Sequence, residues 1–202
     1  MYVSCLDLEG VLFPEVWISV AEKTGIEELR LTTRDISDYN QLMQQRLKII
    51  AERGLTLREI QDTIASMSPF EGAIEFLGWL REFGQVIILS DTFEEFAQPI
   101  MKMLGMPTIF CHSLGVNDQN IITSYHLRIE DAKLKAVQAL KSLNYQVIAA
   151  GDSFNDLSML KGSDHGFFFC PPAEIASQFP EIPVSHSYQE LKHLIRQHVF
   201  NQ

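Results

Sequence analysis

The sequence predicts an α/β fold, a doubly wound parallel sheet with a helical insertion directly after the first strand. Three observations predict it. Apolar runs at residues 1–6, 86–89 and 147–150 are continuous rather than alternating, as in strands buried on both faces. Segments of helical periodicity separate these runs. Each run stops at or just before a polar residue suited to phosphate chemistry, namely Asp7, Ser90 and Asp152. The carboxyl ends of parallel strands line one crevice where ligands bind.

The first strand, residues 1–6, ends at Asp7. From about Pro14 to Ser68 the spacing is helical, with Val16, Ile18 and Val20, then Leu42, Leu47, Ile49 and Ile50, then Leu57, Ile60 and Ile64 recurring on helical periods. Gly25 and Gly54 punctuate this stretch, and Thr56 with Glu59 three residues later reads as a capping box. Pro69 marks the return to the sheet. The expected division is a core of residues 1–13 and 70–202 and a helical cap of residues 14–69. Beyond it, helix and strand alternate. Residues 73–83 are amphipathic, 86–89 form a strand, and 93–104 are helical with Gly105 as the stop. A short strand at 108–111 precedes a hairpin over 113–123, turning at Asn117-Asp118-Gln119-Asn120. A helix at 131–143, a strand at 147–150, a helix starting over 154–160, a last strand at 165–169 and a terminal helix at 187–198 complete the chain.

A length of 202 residues suits one compact domain carrying a smaller inserted lobe, and 46% apolar residues suffice for a sizeable core. Asp7, Glu9 and Glu15 interrupt the N-terminal apolar region, so no run approaches the ~18 residues of a membrane span. They also break the pattern of a signal peptide. A cytoplasmic protein with no membrane partner is expected. Cys5, Cys111 and Cys170 are odd in number and lack paired spacing, which predicts reduced, buried thiols rather than a disulfide or zinc site. A formal charge of −10 argues against nucleic acid as a partner. An anionic substrate would need a local remedy, a bound cation plus a few convergent basic groups.

Asp7 and Glu9 stand two apart at a strand end, followed by Gly10, which permits a tight turn. Two carboxylates in one cleft can divide labour, one attacking phosphorus while its neighbour holds a proton; strand-end acids are also common without a role. The cluster Gly151-Asp152-Ser153-Phe154-Asn155-Asp156 follows another strand. Asp152 is placed to share a hard cation with Asp7, and magnesium binds through one or two carboxylates, waters and phosphate oxygens. Ser153 and Asp156 also read as a helix cap. Ser90 suits a phosphate oxygen or, equally, an ordinary cap. Lys133 opens a helix where the dipole disfavours a cation, which hints at another use for its charge, although Lys135 and Lys141 are rivals.

Together these segments resemble the haloacid dehalogenase superfamily of phosphohydrolases, and within it the phosphoserine phosphatase branch. The likeness rests on Leu6-Asp7-Leu8-Glu9-Gly10-Val11, Leu89-Ser90-Asp91-Thr92-Phe93 and Ile148-Ala149-Ala150-Gly151-Asp152-Ser153, and on the order of the motifs over essentially the whole chain. It implies a Rossmann-like core with a small helical cap, a phosphoserine phosphatase acting through an aspartyl-phosphate, and Mg2+ as cofactor. Asp7 would be the nucleophile and Glu9 the acid/base. Magnesium would be held by the Asp7 and Asp152 carboxylates and the Glu9 carbonyl. Ser90 and Lys133 would bind the transferring phosphate, Asp91 and Asn155 would also serve substrate binding, and Gly151 and Asp156 would support. From the cap, Glu15 would take the substrate amino group, Arg46 its carboxylate, and Tyr39 would pack over the site; as residues alone, these read equally as solvated charges and simple packing. A homodimer is allowed. Some members of the branch also pass the phosphate to homoserine. The superfamily usually has Asp where this chain has Glu9, and the extra methylene shifts the acid by ~1 Å, enough to alter rates. A same-superfamily enzyme for another small phosphometabolite, and a non-catalytic binding module, are the alternatives.

Overall fold

The computed structural model describes residues 1–32, 35, 36 and 38–200, the last by its backbone alone. Among these residues seven strands form one sheet: β1 (Tyr2–Leu6), β2 (Gly84–Phe93), β3 (Thr108–Val116), β4 (Ile122–His126), β5 (Gln146–Gly151), β6 (His165–Phe169) and β7 (Val184–Ser185). Their order is β4-β3-β2-β1-β5-β6-β7, parallel throughout except for the β3–β4 hairpin. The chain builds outward from β1 through β2 on one side and from β5 on the other, so the strand order reverses beside β1. That is where a doubly wound sheet opens its crevice. Leu6 pairs with Ile88 on one flank and Ala150 on the other, so the residues that follow all three emerge at one level. The Asp7 N–H extends the ladder by donating to the Ala150 carbonyl at 3.0 Å.

Helices cover both faces, as the continuous apolar strands require. Val3 and Cys5 of β1 and Val147 and Ala149 of β5 pack beneath α6 (Ala132–Ser142) and α7 (Leu157–Gly162), against Val137, Met159 and Leu160. The alternate positions Leu6, Ile148 and Ala150 face α4 (Ala73–Arg81), α5 (Glu94–Met103) and α9 (Tyr188–Ile195), through Phe76, Phe96 and Leu191.

Between β1 and α4 lie α1 (Val16–Thr24), α2 (Tyr39–Arg53) and α3 (Leu57–Ala65). The first two end at Gly25 and Gly54, both left-handed (φ 71° and 64°), as their spacing suggested. The Thr56–Glu59 capping box starts α3. This segment docks on the rest at several points. Trp17 meets Phe96 edge-on with ring centroids 5.4 Å apart. The Gln61 side-chain amide donates to the Glu95 carbonyl at 2.8 Å. The hairpin tip closes from the other side: the Asn120 carbonyl accepts from Leu57 N–H at 2.9 Å and Asn120 Oδ1 from Arg58 N–H at 2.8 Å. The Tyr125 hydroxyl donates to Asn40 Oδ1 at 2.7 Å.

Some expectations are corrected. β3 runs on to Val116 rather than ending at Cys111, because it pairs with β4 as well as β2. Two short elements, α8 (Ala173–Gln178) and the two-residue β7, are too brief to show periodicity. The helix expected from residue 154 begins as a 3-10 turn over Phe154–Asp156. All three cysteines are free, but only Cys5 and Cys111 are buried; Cys170 lies just past β6 and is exposed. Among the described residues no helix is long and apolar enough to cross a membrane.

Candidate active site

The loop after β1, the carboxyl-end stretch of β2 and the loop after β5 meet α6 and the insertion around a cleft of about 660 Å³. Asp7, Glu9, Glu15, Tyr39, Arg46, Ser90, Asp91, Lys133, Asp152 and Asn155 all line it. Gly151 and Asp156 lie directly behind, where a Cβ on Gly151 would overlap the Asp156 side chain. After Asp7 the chain turns through Gly10 (φ 79°). A Cβ there would overlap the Asp152 carboxylate, so glycine is what lets the first and third loops close on each other.

Asp7, Asp152 and Asp156 are buried, and each offers a carboxylate oxygen within 4.8 Å of the others. Burial, and after it the Asp156 charge, push the Asp7 carboxyl well above the usual carboxylate range. A close-set, hard-oxygen donor set whose charge is disfavoured as it stands fits a divalent cation such as magnesium, which would reverse that penalty. Asp156 is engaged within the protein on both oxygens. One accepts from the Asp152 and Ser153 N–H groups at 2.9 and 3.1 Å, and the other lies 2.7 Å from Lys133 Nζ. Asp156 thereby shapes the loop that carries Asp152, and the cap and cation readings of this cluster hold together. Ser153 also bonds Asn155.

Lys133 stands apart from the other two lysines of this region. It is buried in the first turn of α6, whereas Lys135 is exposed and Lys141 pairs with Asp164 at 2.9 Å. Its Nζ lies 2.7 Å from Asp156, 3.0 Å from Asp7 and 3.5 Å from Asp91. Burial alone would lower its pKa, but the Asp156, Asp7 and Asp91 carboxylates outweigh that and hold it well above the ordinary lysine value.

Ser90 is not a helix cap, since α5 starts four residues later with Phe93 in the capping position. It sits in an irregular stretch of β2. Leu89 pairs with Phe110 and Phe93 with His112, so four steps on β2 match two on β3. The residues between bulge toward the cleft. Ser90 Oγ accepts from the Thr92 N–H at 3.2 Å. Asp91 receives the Asn155 side-chain amide at 2.9 Å on its carboxylate and the Tyr39 hydroxyl at 3.1 Å on its carbonyl. Burial would raise the Asp91 pKa, but Lys133, then His112 and Asn155, hold it below the usual carboxylate range.

Farther along the loop after β1, Glu9 Oε2 accepts from Val16 N–H at 2.8 Å. Burial and Glu15 push the Glu9 carboxyl up to about 8. Arg46 is buried, stacked 4.6 Å above the Trp17 ring, and donates to the Leu31 carbonyl at 2.8 Å. Burial lowers its pKa to about 10. Arg46 lines the cleft, and its buried Nε has no hydrogen-bond partner among the described residues.

A family model of haloacid dehalogenase-like hydrolases matches residues 6–164. The chain belongs to that family. Phosphoserine phosphatase ThrH of Pseudomonas aeruginosa is 54% identical to this hydrolase over 192 residues, 95% of this chain and 94% of the relative. A phosphoserine phosphatase of Pseudomonas syringae pv. tomato is 55% identical over 190 residues, 94% of this chain and 80% of the relative. A crystal structure of a phosphoserine phosphatase in apo form superposes with a TM-score of 0.78 at 22% identity, covering 95% of the hydrolase and 98% of that chain. The last likeness speaks for the fold.

Sequence reasoning missed His112 and Thr92. Both are buried and line the cleft of the hydrolase, and Thr92 Oγ1 has no hydrogen-bond partner among the described residues. The signal for His112 was a lone polar ring near the carboxyl end of a strand that seemed to stop one residue earlier.

Proposed function

We propose that the chain is a phosphoserine phosphatase working through a phosphorylated Asp7, with homoserine as an alternative phosphate acceptor to water. One juxtaposition carries the reading. Asp7, Lys133, Asp152 and Asp156 form one cluster, and the buried Arg46 and the Glu15 carboxyl line the same cleft. That pairing matches a molecule with a phosphate at one end and an amino acid's carboxylate and ammonium at the other. The relatives named above, more than half identical over nearly the whole chain, are named phosphoserine phosphatases.

In this reading residues 14–69 form a cap over a core of residues 1–13 and 70–202. Arg46 clamps the substrate carboxylate, Glu15 the ammonium, and Tyr39 closes over the site. The Asp7 carboxylate attacks phosphorus in line, and the serine oxygen departs with a proton from Glu9. Glu9 then takes a proton from water, or from the homoserine hydroxyl. The oxygen so freed attacks phosphorus and releases Asp7. Lys133 and Ser90 stabilise the charge that spreads over the phosphoryl oxygens, with Asn155 and Asp91 setting their positions. Asp7, Asp152 and the Glu9 carbonyl, backed by Asp156, would hold magnesium, which supplies positive charge against the repulsion between carboxylate and phosphate.

The direct test follows inorganic phosphate and phosphohomoserine from phosphoserine, with and without homoserine and with EDTA before and after added MgCl2. Phosphate release that stops with chelator and returns with Mg2+ is expected; full activity under chelation, or none on phosphoserine, defeats the reading. The longer Glu9 is expected to slow attack by water and leave the phosphorylated Asp7 open to a second alcohol. Glu9→Asp should therefore shift product toward inorganic phosphate by several-fold, a ~1 Å change being enough for that. An unchanged product ratio removes the idea.

A further inference from the structure

We propose that His112 is a positioning residue for phosphoryl transfer: through Asp91 it holds Lys133 and Asn155 against the transferring phosphate. The inference rests on the reading of the site just given. Its starting point is an oddity, a half-buried carboxylate, Asp91, whose side chain is 35% exposed in a cleft meant for a phosphate dianion. An acid there repels the substrate unless its charge is engaged elsewhere and its geometry does useful work.

Both conditions are met. Asp91 Oδ2 accepts from Asn155 Nδ2 at 2.9 Å and lies 3.5 Å from Lys133 Nζ, while Oδ1 faces His112 Nε2 at 3.5 Å. Asp91 thus links the two side chains that flank the phosphate. The bulge, however, removes Asp91 from the sheet ladder, where pairing would have fixed its backbone. Side-chain contacts must fix it instead. Tyr39 holds its carbonyl, and His112 reaches across from the next strand to its carboxylate. His112 is itself set by a bond from below: the Arg128 N–H donates to its Nδ1 at 3.2 Å. With Nδ1 accepting, the ring proton sits on Nε2, the nitrogen that faces Asp91. Arg128, in turn, lies five residues ahead of Lys133, so the same loop positions both ends of the chain of contacts.

The test measures kcat and KM for His112→Phe and His112→Gln, alone and on an Asp91→Asn background. Phosphoserine and p-nitrophenyl phosphate serve as substrates, with Mg2+ present. His112→Phe keeps the ring shape and lacks the donor; kcat should fall on the order of tenfold with KM little changed. His112→Gln places an amide N–H near the Nε2 position and should restore most of the loss. On Asp91→Asn the Phe replacement should cost less than about twofold more, because the two residues act as one unit. Should the Phe variant not fold, His112→Asn, too short to reach Asp91, takes its place. A loss under about threefold, failure of Gln to restore, or a loss that persists in full on Asp91→Asn overturns the proposal. A wild type active on the aryl ester but not on phosphoserine refutes the substrate reading and leaves the His112 comparison standing. Inactivity on both overturns the two together.

Discussion

Asp7→Asn abolishes phosphate release, by about a thousandfold or more, yet leaves the metal-free protein at least as stable as before. The two halves of this expectation come from the same geometry. An amide is not a nucleophile toward phosphorus, so the first covalent step is lost outright. It is also uncharged, and it replaces one of the three carboxylates, Asp7, Asp91 and Asp156, that surround the Lys133 ammonium, with Asp152 close by. Removing one negative charge from that crowd relieves repulsion, while Lys133 keeps its contacts to Asp156 and Asp91. Phosphate release and thermal melting in EDTA-treated buffer check both halves. Retained turnover would assign the nucleophile elsewhere, and a steep fall in Tm would show that Asp7 holds the fold together rather than straining it.

Lys133→Met has the opposite signature. The methionine matches the stem of the lysine in length but leaves the buried Asp7 and Asp156, and the half-buried Asp91, without a cation. Breaking a buried ion pair from one side costs about 3–5 kcal/mol. For a domain of this size each kcal/mol lowers Tm by roughly 2–4 °C, so a fall of about 10 °C is expected. Added Mg2+ should recover more of the loss in the variant than it adds to the wild type, since it returns positive charge to the same carboxylates. Activity should fall with the loss of charge at the phosphate. A Tm within about 2 °C of wild type in EDTA would mean that the acids are neutral or hydrated, and the picture of a charge-balanced cluster would fail.

Much of the site was legible because topology converts sequence position into spatial position. Asp7, Ser90 and Asp152 each follow an apolar run, and adjacent parallel strands bring such ends together whatever the intervening length. Lys133 needed one step more. Its partners at i+3 and i+4 are Ala136 and Val137, both buried, whereas Lys135 points about 200° away around the helix. That small apolar pair marked the sheet-facing side, but three neighbouring lysines hid it. Arg46 and Glu15 came from resemblance alone, because a charge on a helix carries no sign of what lies across the cleft. The bulge in β2 left no trace, since Ser90-Asp91-Thr92 reads as a strand end whether or not the strand resumes. His112 was lost with it. Cys170 misled for a simpler reason: following three phenylalanines, it looked like part of the strand, yet the strand had already ended.

The hairpin that reaches up to α3 has one more consequence. A helix ordinarily leaves its first amides to its own cap or to water, but here Asn120, more than sixty residues downstream, supplies the acceptors for Leu57 and Arg58. Two such bonds are worth about 1–3 kcal/mol in net terms, and with the buried Ile60 and Ile64 behind them they make the hairpin tip part of what fixes where α3 begins.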